Sequence, residues 1–208
     1  MLCVAVLLVA CSEGPPKEEG EFRKTDLVEL IDVDPSFKLD IRYATDKNFV
    51  GRPVYDEPRA FLQREAAMAL VQVKKELEPL GHGLLIYDGY RPWSVTKMFW
   101  DLTPEAERAF VADPSKGSRH NRGCAVDLTL YEISSGAPVE MTSDYDAFDE
   151  SAHPEYKGGT AEQREMRDLL RKMMEAQGFT VYDNEWWHYD FKDWRSYRIQ
   201  NIPFNEIE

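Results

Sequence analysis

Two of the chain's four histidines stand in company that suggests chemistry. His120 lies in Ser118-Arg119-His120-Asn121-Arg122-Gly123-Cys124-Ala125-Val126-Asp127, a turn-rich stretch that runs into a strand. Asp127 falls inside the apolar run Cys124, Ala125, Val126 and Leu128, where an unpaired carboxylate is costly. An arginine could compensate it, and so could a metal shared with His120. His188 sits in Glu185-Trp186-Trp187-His188-Tyr189-Asp190-Phe191, again with a charged residue among aromatics. Two imidazoles and one carboxylate are the ligand set of a catalytic zinc with an open fourth position. His-x6-Asp is a loose pattern, and the same residues also fit two hydrogen-bonded histidines and two salt-bridged acids. His82, between two glycines, reads as a solvated turn residue. His153 belongs to the polar loop Ser151-Ala152-His153-Pro154.

Two further residues could complete a hydrolytic site. Glu185 precedes His188 by three, and on a regular strand an odd offset puts two side chains on opposite faces. Both can reach one metal only if the chain bulges or turns near Asn184–Trp186. If it does, Glu185 is the candidate general base for a zinc-bound water; otherwise it is a surface glutamate. Arg91 follows an apolar strand in Asp88-Gly89-Tyr90-Arg91-Pro92, and Pro92 biases it toward extended geometry. Fixed there, its guanidinium can face a developing oxyanion or a carboxylate. The segment alone fits a surface salt bridge equally.

The elements that must position these groups follow from periodicity. Leu27–Val33 and Leu39–Tyr43 read as strands, as do Gly83–Tyr87 and Ala125–Ile133. Residues 61–80 read as a helix with Ala66, Ala69, Leu70, Val73 and Leu77 on one face, ended by Gly81. A short helix is expected from Thr103-Pro104 to Ala112. Thr160 and Gln163 make a capping box for a helix that turns Met166, Leu169, Leu170 and Met173 to the core and stops at Gly178. Phe179–Phe191 reads as two strands joined at Asp183-Asn184. Helices and strands mix without regular alternation. The expected class is a single α+β domain, with an antiparallel central sheet flanked by helices and, if the two histidines hold zinc, the zinc site on the sheet.

Composition bounds the partners. The 208 residues carry a net charge of −13, which disfavours a nucleic-acid partner. Ten Tyr, ten Phe and five Trp supply a core. No apolar run reaches the roughly 18 residues of a membrane span. Residues 1–10 are uninterruptedly apolar and fit the core of a signal peptide, although no Lys or Arg precedes them. Leu8-Val9-Ala10-Cys11 resembles a lipobox, so residues 1–10 are expected to be a lipoprotein signal peptide with Cys11 lipidated. Residues 11–24, polar and holding Pro15-Pro16, are expected to be a flexible tether. Contact with the membrane would then run through the N-terminal lipid only, with the protein exported and facing the periplasm or cell exterior. Cys124 is left alone in the body of the chain, so no internal disulfide is expected there.

Three motifs occur in order: Asp88-Gly89-Tyr90-Arg91-Pro92, then Ser118-x-His120-x-x-Gly123-x-Ala125-x-Asp127-Leu128, then Glu185-Trp186-Trp187-His188. Together they resemble the VanX-type D-alanyl-D-alanine dipeptidases, zinc enzymes related to the D,D-carboxypeptidases of cell-wall metabolism. The resemblance runs from about Tyr43 to Phe191, within a catalytic domain expected over residues 25–208. It implies one zinc per chain, held by His120, Asp127 and His188, with Glu185 as base and Arg91 stabilising the tetrahedral intermediate. It also places Tyr43, Ser118 and Asp146 near the ammonium group of a small dipeptide; an anionic partner such as Asp146 suits a desolvated ammonium. Two features depart from the family pattern. Family members of the resistance type act in the cytoplasm, whereas this chain reads as exported. Cys124, between two ligands, could compete for soft metals or be a small buried strand residue. The rival readings are a D,D-carboxypeptidase trimming longer wall peptides, and a zinc-containing lipoprotein that binds wall fragments without cleaving them.

Overall fold

The computed structural model describes residues 14–207; the apolar segment 1–10 and Cys11 lie outside them. The chain begins with a short strand β1 (Leu27–Glu29), a single helical turn α1 (Leu30–Val33), a two-residue strand β2 (Lys38–Leu39) and β3 (Phe61–Gln63). Then come helix α2 (Arg64–Leu77), strand β4 (His82–Asp88) and helix α3 (Trp93–Leu102). The second half holds β5 (Ala125–Glu132), α4 (Ala161–Ala176), β6 (Phe179–Tyr182) and β7 (Glu185–Phe191). A five-stranded sheet has the order β2-β4-β5-β7-β6, and β1 pairs with β3 in a separate ribbon.

Period-two alternation decides which face holds the core. Leu84 and Ile86 of β4 and Val126, Leu128 and Leu130 of β5 are buried together. They pack with Ala66, Leu70, Val73 and Leu77 of α2 and with Leu170 and Met174 of α4. The alternate residues point to the other face, where Asp127 stands between two core residues. His188 is its direct partner across the β5–β7 ladder, so the two share that face.

The α+β class and central sheet stand as expected, with one difference: the edge strand β2 runs parallel to β4, while the remaining pairs are antiparallel. Several boundaries also move. The strand expected over 27–33 ends at Glu29 and turns into α1, and that expected over 39–43 gives way to a 3-10 turn at Arg42–Ala44. The helix expected from residue 61 begins at Arg64, because Phe61, Leu62 and Gln63 pair with β1. Ladder bonds and burial of these three residues outweigh their helical spacing. Helix α3 was not anticipated. Pro92 precedes it and Val95 and Phe99 bury one side, whereas the helix expected over 103–112 is a 3-10 stretch from Glu105 to Phe110.

The stretch expected as a free tether is partly held down. Glu18 accepts from Arg122 Nη2 at 2.6 Å and from the Ile199 amide at 2.7 Å, and its carbonyl accepts from Arg198 at 2.9 Å. Farther on, the Arg23 amide donates to the Ser196 carbonyl.

The capping box opening α4 is complete. Thr160 Oγ1 accepts from the Gln163 amide at 3.1 Å, and Gln163 Oε1 accepts from the Thr160 amide at 2.8 Å. Replacing Thr160 by Ala is expected to lower unfolding free energy by about 1 kcal/mol, and Thr160→Asn to lose much less. Urea unfolding of the two variants beside the parent checks this.

Candidate active site

His120 occupies a 3-10 turn, His120–Arg122, between α3 and β5. Gly123 closes the turn at φ +68°, where a Cβ would lie 2.4 Å from Leu27 Cδ2, so glycine is required there. Asn121 fixes the turn from inside. Its Nδ2 donates to the Arg91 carbonyl at 2.9 Å and to Thr96 Oγ1 at 2.8 Å, while its Oδ1 accepts from the Ser118 amide. The turn therefore hangs its imidazole beside the end of β4, next to Asp127 and His188.

Hydrogen bonds define the tautomers. His120 Nδ1 lies 2.7 Å from the Gly89 carbonyl, which can only accept, so Nδ1 carries the proton and Nε2 offers a lone pair. His188 Nε2 lies 2.9 Å from Asp190 Oδ1, which likewise accepts from that N–H and leaves the Nδ1 lone pair free. Asp127 Oδ2 accepts from Tyr145 Oη at 2.9 Å, while Oδ1 is buried with no hydrogen bond. The three free acceptors converge: His120 Nε2 is 3.1 Å from His188 Nδ1 and 3.4 Å from Asp127 Oδ1, and Asp127 Oδ1 is 3.1 Å from His188 Nδ1. Ligands about 2.0–2.1 Å from a tetrahedral zinc lie about 3.3 Å apart, so the spacing and chemistry of this donor set fit the ion. Among the described residues this is the group of His, Cys, Asp and Glu able to hold a metal.

Mutual charge shapes the titration of the cluster. Burial works against ionised Asp127, but His120 and His188 pull its carboxyl far below the usual range. Burial likewise opposes charging His188, and the adjacent carboxylates of Asp127 and Asp190 raise it instead. Without a cation the cluster would hold a proton; a metal replaces it.

The bulge demanded for Glu185 is present. From Val181↔Tyr189 the pairing jumps to Tyr182↔Glu185, so β6 advances one residue while β7 bows out through Trp186, Trp187 and His188. Glu185 Oε2 thereby comes within 3.7 Å of His188 Nδ1 despite the odd offset. Burial raises its carboxyl, and Asp127 adds to the rise against the pull of His188.

A second bulge, between Ile86 and Asp88, ends β4 beside Asp127. Asp88 Oδ2 accepts from Arg91 Nε at 3.0 Å and Nη2 at 2.7 Å, and Oδ1 accepts from Tyr55 Oη at 2.9 Å. Arg91 is thus buried and fixed, with Nη2 3.9 Å from Asp127 Oδ2 and its guanidinium 5.2 Å from the Tyr43 ring. Tyr43 Oη donates to Asp146, whose oxygens lie at 3.1 and 3.2 Å. Asp146 adopts φ +59°, and burial, then Asp127 and Glu185, hold its carboxyl well above the usual range. Ser118 Oγ accepts from the His120 amide at 3.2 Å and makes no hydrogen bond to Asp146 or Tyr43.

One cavity of about 440 Å³ is lined by Tyr43, Arg91, Ser118, His120, Asp127, Asp146, Glu185 and His188. All eight residues singled out in the described chain face it, and its size suits a small ligand. Cys124 is fully buried, donates to the Arg122 carbonyl and does not line the cavity; burial pushes its thiol up to about 12. His82 and His153 lie outside it as well. Sequence reasoning missed Asp88, Tyr145 and Asp190. Asp190 carried a signal, since two residues along a strand share a face with His188. Asp88 also carried one, three residues before Arg91. Tyr145, in an irregular loop, carried none.

Comparison with known proteins agrees with this geometry. The family described as D-ala-D-ala dipeptidase, peptidase M15, matches residues 23–205. A D-alanyl-D-alanine dipeptidase of Enterococcus faecalis is 40% identical over 178 residues, 75% of this chain and 86% of that one. One from Escherichia coli is 32% identical over 181 residues, 87% of this chain and 92% of the other. One from Enterococcus faecium is 36% identical over 182 residues, 79% and 90% of the two chains. Matched over most of its length by the family and by these relatives, the chain belongs to the D-ala-D-ala dipeptidase family of M15 peptidases.

Proposed function

We propose that the protein is a zinc metallopeptidase that hydrolyses D-Ala-D-Ala to two D-alanines. The observation that carries this reading is the buried triangle of His120 Nε2, His188 Nδ1 and Asp127 Oδ1 with Glu185 3.7 Å from one corner. His120, Asp127 and His188 would hold one zinc, which as a Lewis acid polarises a carbonyl and lowers the pKa of water to about 7. Glu185 takes the proton of the attacking water. Its raised carboxyl then returns that proton to the leaving amine, as a base tuned toward neutral pH can. Arg91 donates to the carbonyl oxygen as it gains charge, and Asp88 holds the guanidinium in place through Nε and Nη2. Asp146, with Tyr43 on it, receives the substrate ammonium. A protein that only bound wall fragments would need neither a base beside the metal ligands nor a fixed arginine.

The location is a separate proposal. The apolar run 1–10 and Leu8-Val9-Ala10-Cys11 support an exported lipoprotein anchored through Cys11. No helix among the described residues is long and apolar enough to cross a membrane.

Three outcomes are expected. Purified protein releases D-alanine from D-Ala-D-Ala, stops on chelation and recovers with zinc; Glu185→Gln keeps its zinc but loses at least about 10²-fold in kcat. Cleavage of a wall pentapeptide at a similar rate would instead place the protein with the carboxypeptidases. Asp88→Asn loosens Arg91 and lowers kcat by about 10²-fold with zinc content unchanged, read by steady-state kinetics beside metal analysis. Cys11→Ala moves the protein from the membrane to the soluble fraction and abolishes incorporation of labelled palmitate.

A further inference from the structure

Three arginines line the cavity: Arg91, Arg119 and Arg122. Two are held by hydrogen bonds within the protein. Arg91 is held by Asp88, and Arg122 donates to the Tyr197 carbonyl and to Glu18. Arg119 differs. Its Nε stands 3.3 Å from Asp190 Oδ2 without hydrogen-bond geometry, and its two terminal nitrogens make no hydrogen bond among the described residues. The guanidinium is steadied from the side by aromatic rings, 5.1 Å from that of Trp194 and 5.8 Å from that of Tyr182. A planar fork with unused donors, held over aromatic rings at the wall of a cavity, suits a carboxylate.

Its place along β7 matters. Glu185, His188 and Asp190 follow one another on that strand, and Asp190 carries Arg119 on the side of His188 away from Glu185. Asp146 is held by Tyr43, whose ring lies 5.2 Å from the Arg91 guanidinium, and neither makes a hydrogen bond, ion pair or ring contact with Arg119 or Asp190.

We propose that Arg119 is the anchor for the C-terminal carboxylate of the substrate, and that it sets the direction in which a zwitterionic dipeptide lies across the site. This rests on the dipeptidase reading above. The ammonium lies at Asp146 and the carboxylate at Arg119, with the single peptide carbonyl between them. Asp190 serves both arms, with Oδ1 on His188 and Oδ2 beside Arg119. Filling the fork with substrate thus leaves the imidazole tautomer in place.

The test compares D-Ala-D-Ala with D-Ala-D-alaninamide, in which the carboxylate is neutralised, on the zinc-loaded full chain and its Arg119→Met and Arg119→Lys variants. The parent is expected to favour the acid over the amide in kcat/KM by about 10–100-fold, the scale of a lost charged hydrogen bond. In Arg119→Met that preference collapses toward one, mainly through KM for the acid, and Arg119→Lys recovers part of it. Equal losses on acid and amide, or an undiminished preference for the acid, would overturn the assignment. Failure of the dipeptidase reading looks different: the parent with zinc then cleaves neither compound. Calorimetric titration of both compounds decides the matter in that case. Acid-selective binding lost in Arg119→Met sustains the anchor, and equal affinities reject it.

Discussion

Three lone pairs aimed at one buried point are the constraint on which this structure turns. His120 Nε2, His188 Nδ1 and Asp127 Oδ1 lie 3.1–3.4 Å apart. Their other polar atoms are committed outward, to the Gly89 carbonyl, Asp190 and Tyr145. Each commitment removes a proton or a donor that might have relieved the crowding. Acceptors packed this closely in a low-dielectric interior repel one another, and a cation between them reverses the sign. The fold spends its central strand pair, an irregular loop and the turn ahead of β5 on maintaining that arrangement.

The sheet delivers these groups by breaking its own regularity twice. Asp127 and His188 need no irregularity, being cross-strand partners on one face. Glu185 does, and so does Asp88. The bulge in β7 brings a glutamate at an odd offset toward the same cavity, and the bulge at the end of β4 sets Asp88 opposite Asp127 and beneath Arg91. Regular pleating therefore supplies two of the three ligands, while departures from it supply the groups that act on what the ligands hold.

That division explains what was legible in the sequence. His120, Asp127 and His188 could be read from neighbours, because a charged residue in an apolar run must have a partner. The odd Glu185–His188 offset even announced the need for a bulge. Tyr145 escaped notice because it reaches Asp127 from a loop with no periodicity. Strand β3 was hidden because its three apolar-facing residues continue smoothly into the spacing of α2, and only pairing with β1, far away in sequence, separates the two. The parallel edge formed by β2 was invisible for a similar reason: two residues carry no pattern, and their partner lies beyond an entire helix.

Glu18 has a consequence for reach. Its carboxylate and carbonyl fasten the start of the chain beside Arg122, in the wall of the cavity. Only seven residue steps lead from Cys11 to that fastening, at most about 25 Å of extended backbone. With the proposed lipid on Cys11, so short a leash would keep the domain close to the bilayer. The mouth of the site would patrol a shell hugging the headgroups and meet small peptides as they leave or approach the membrane surface, rather than after they have diffused into the bulk.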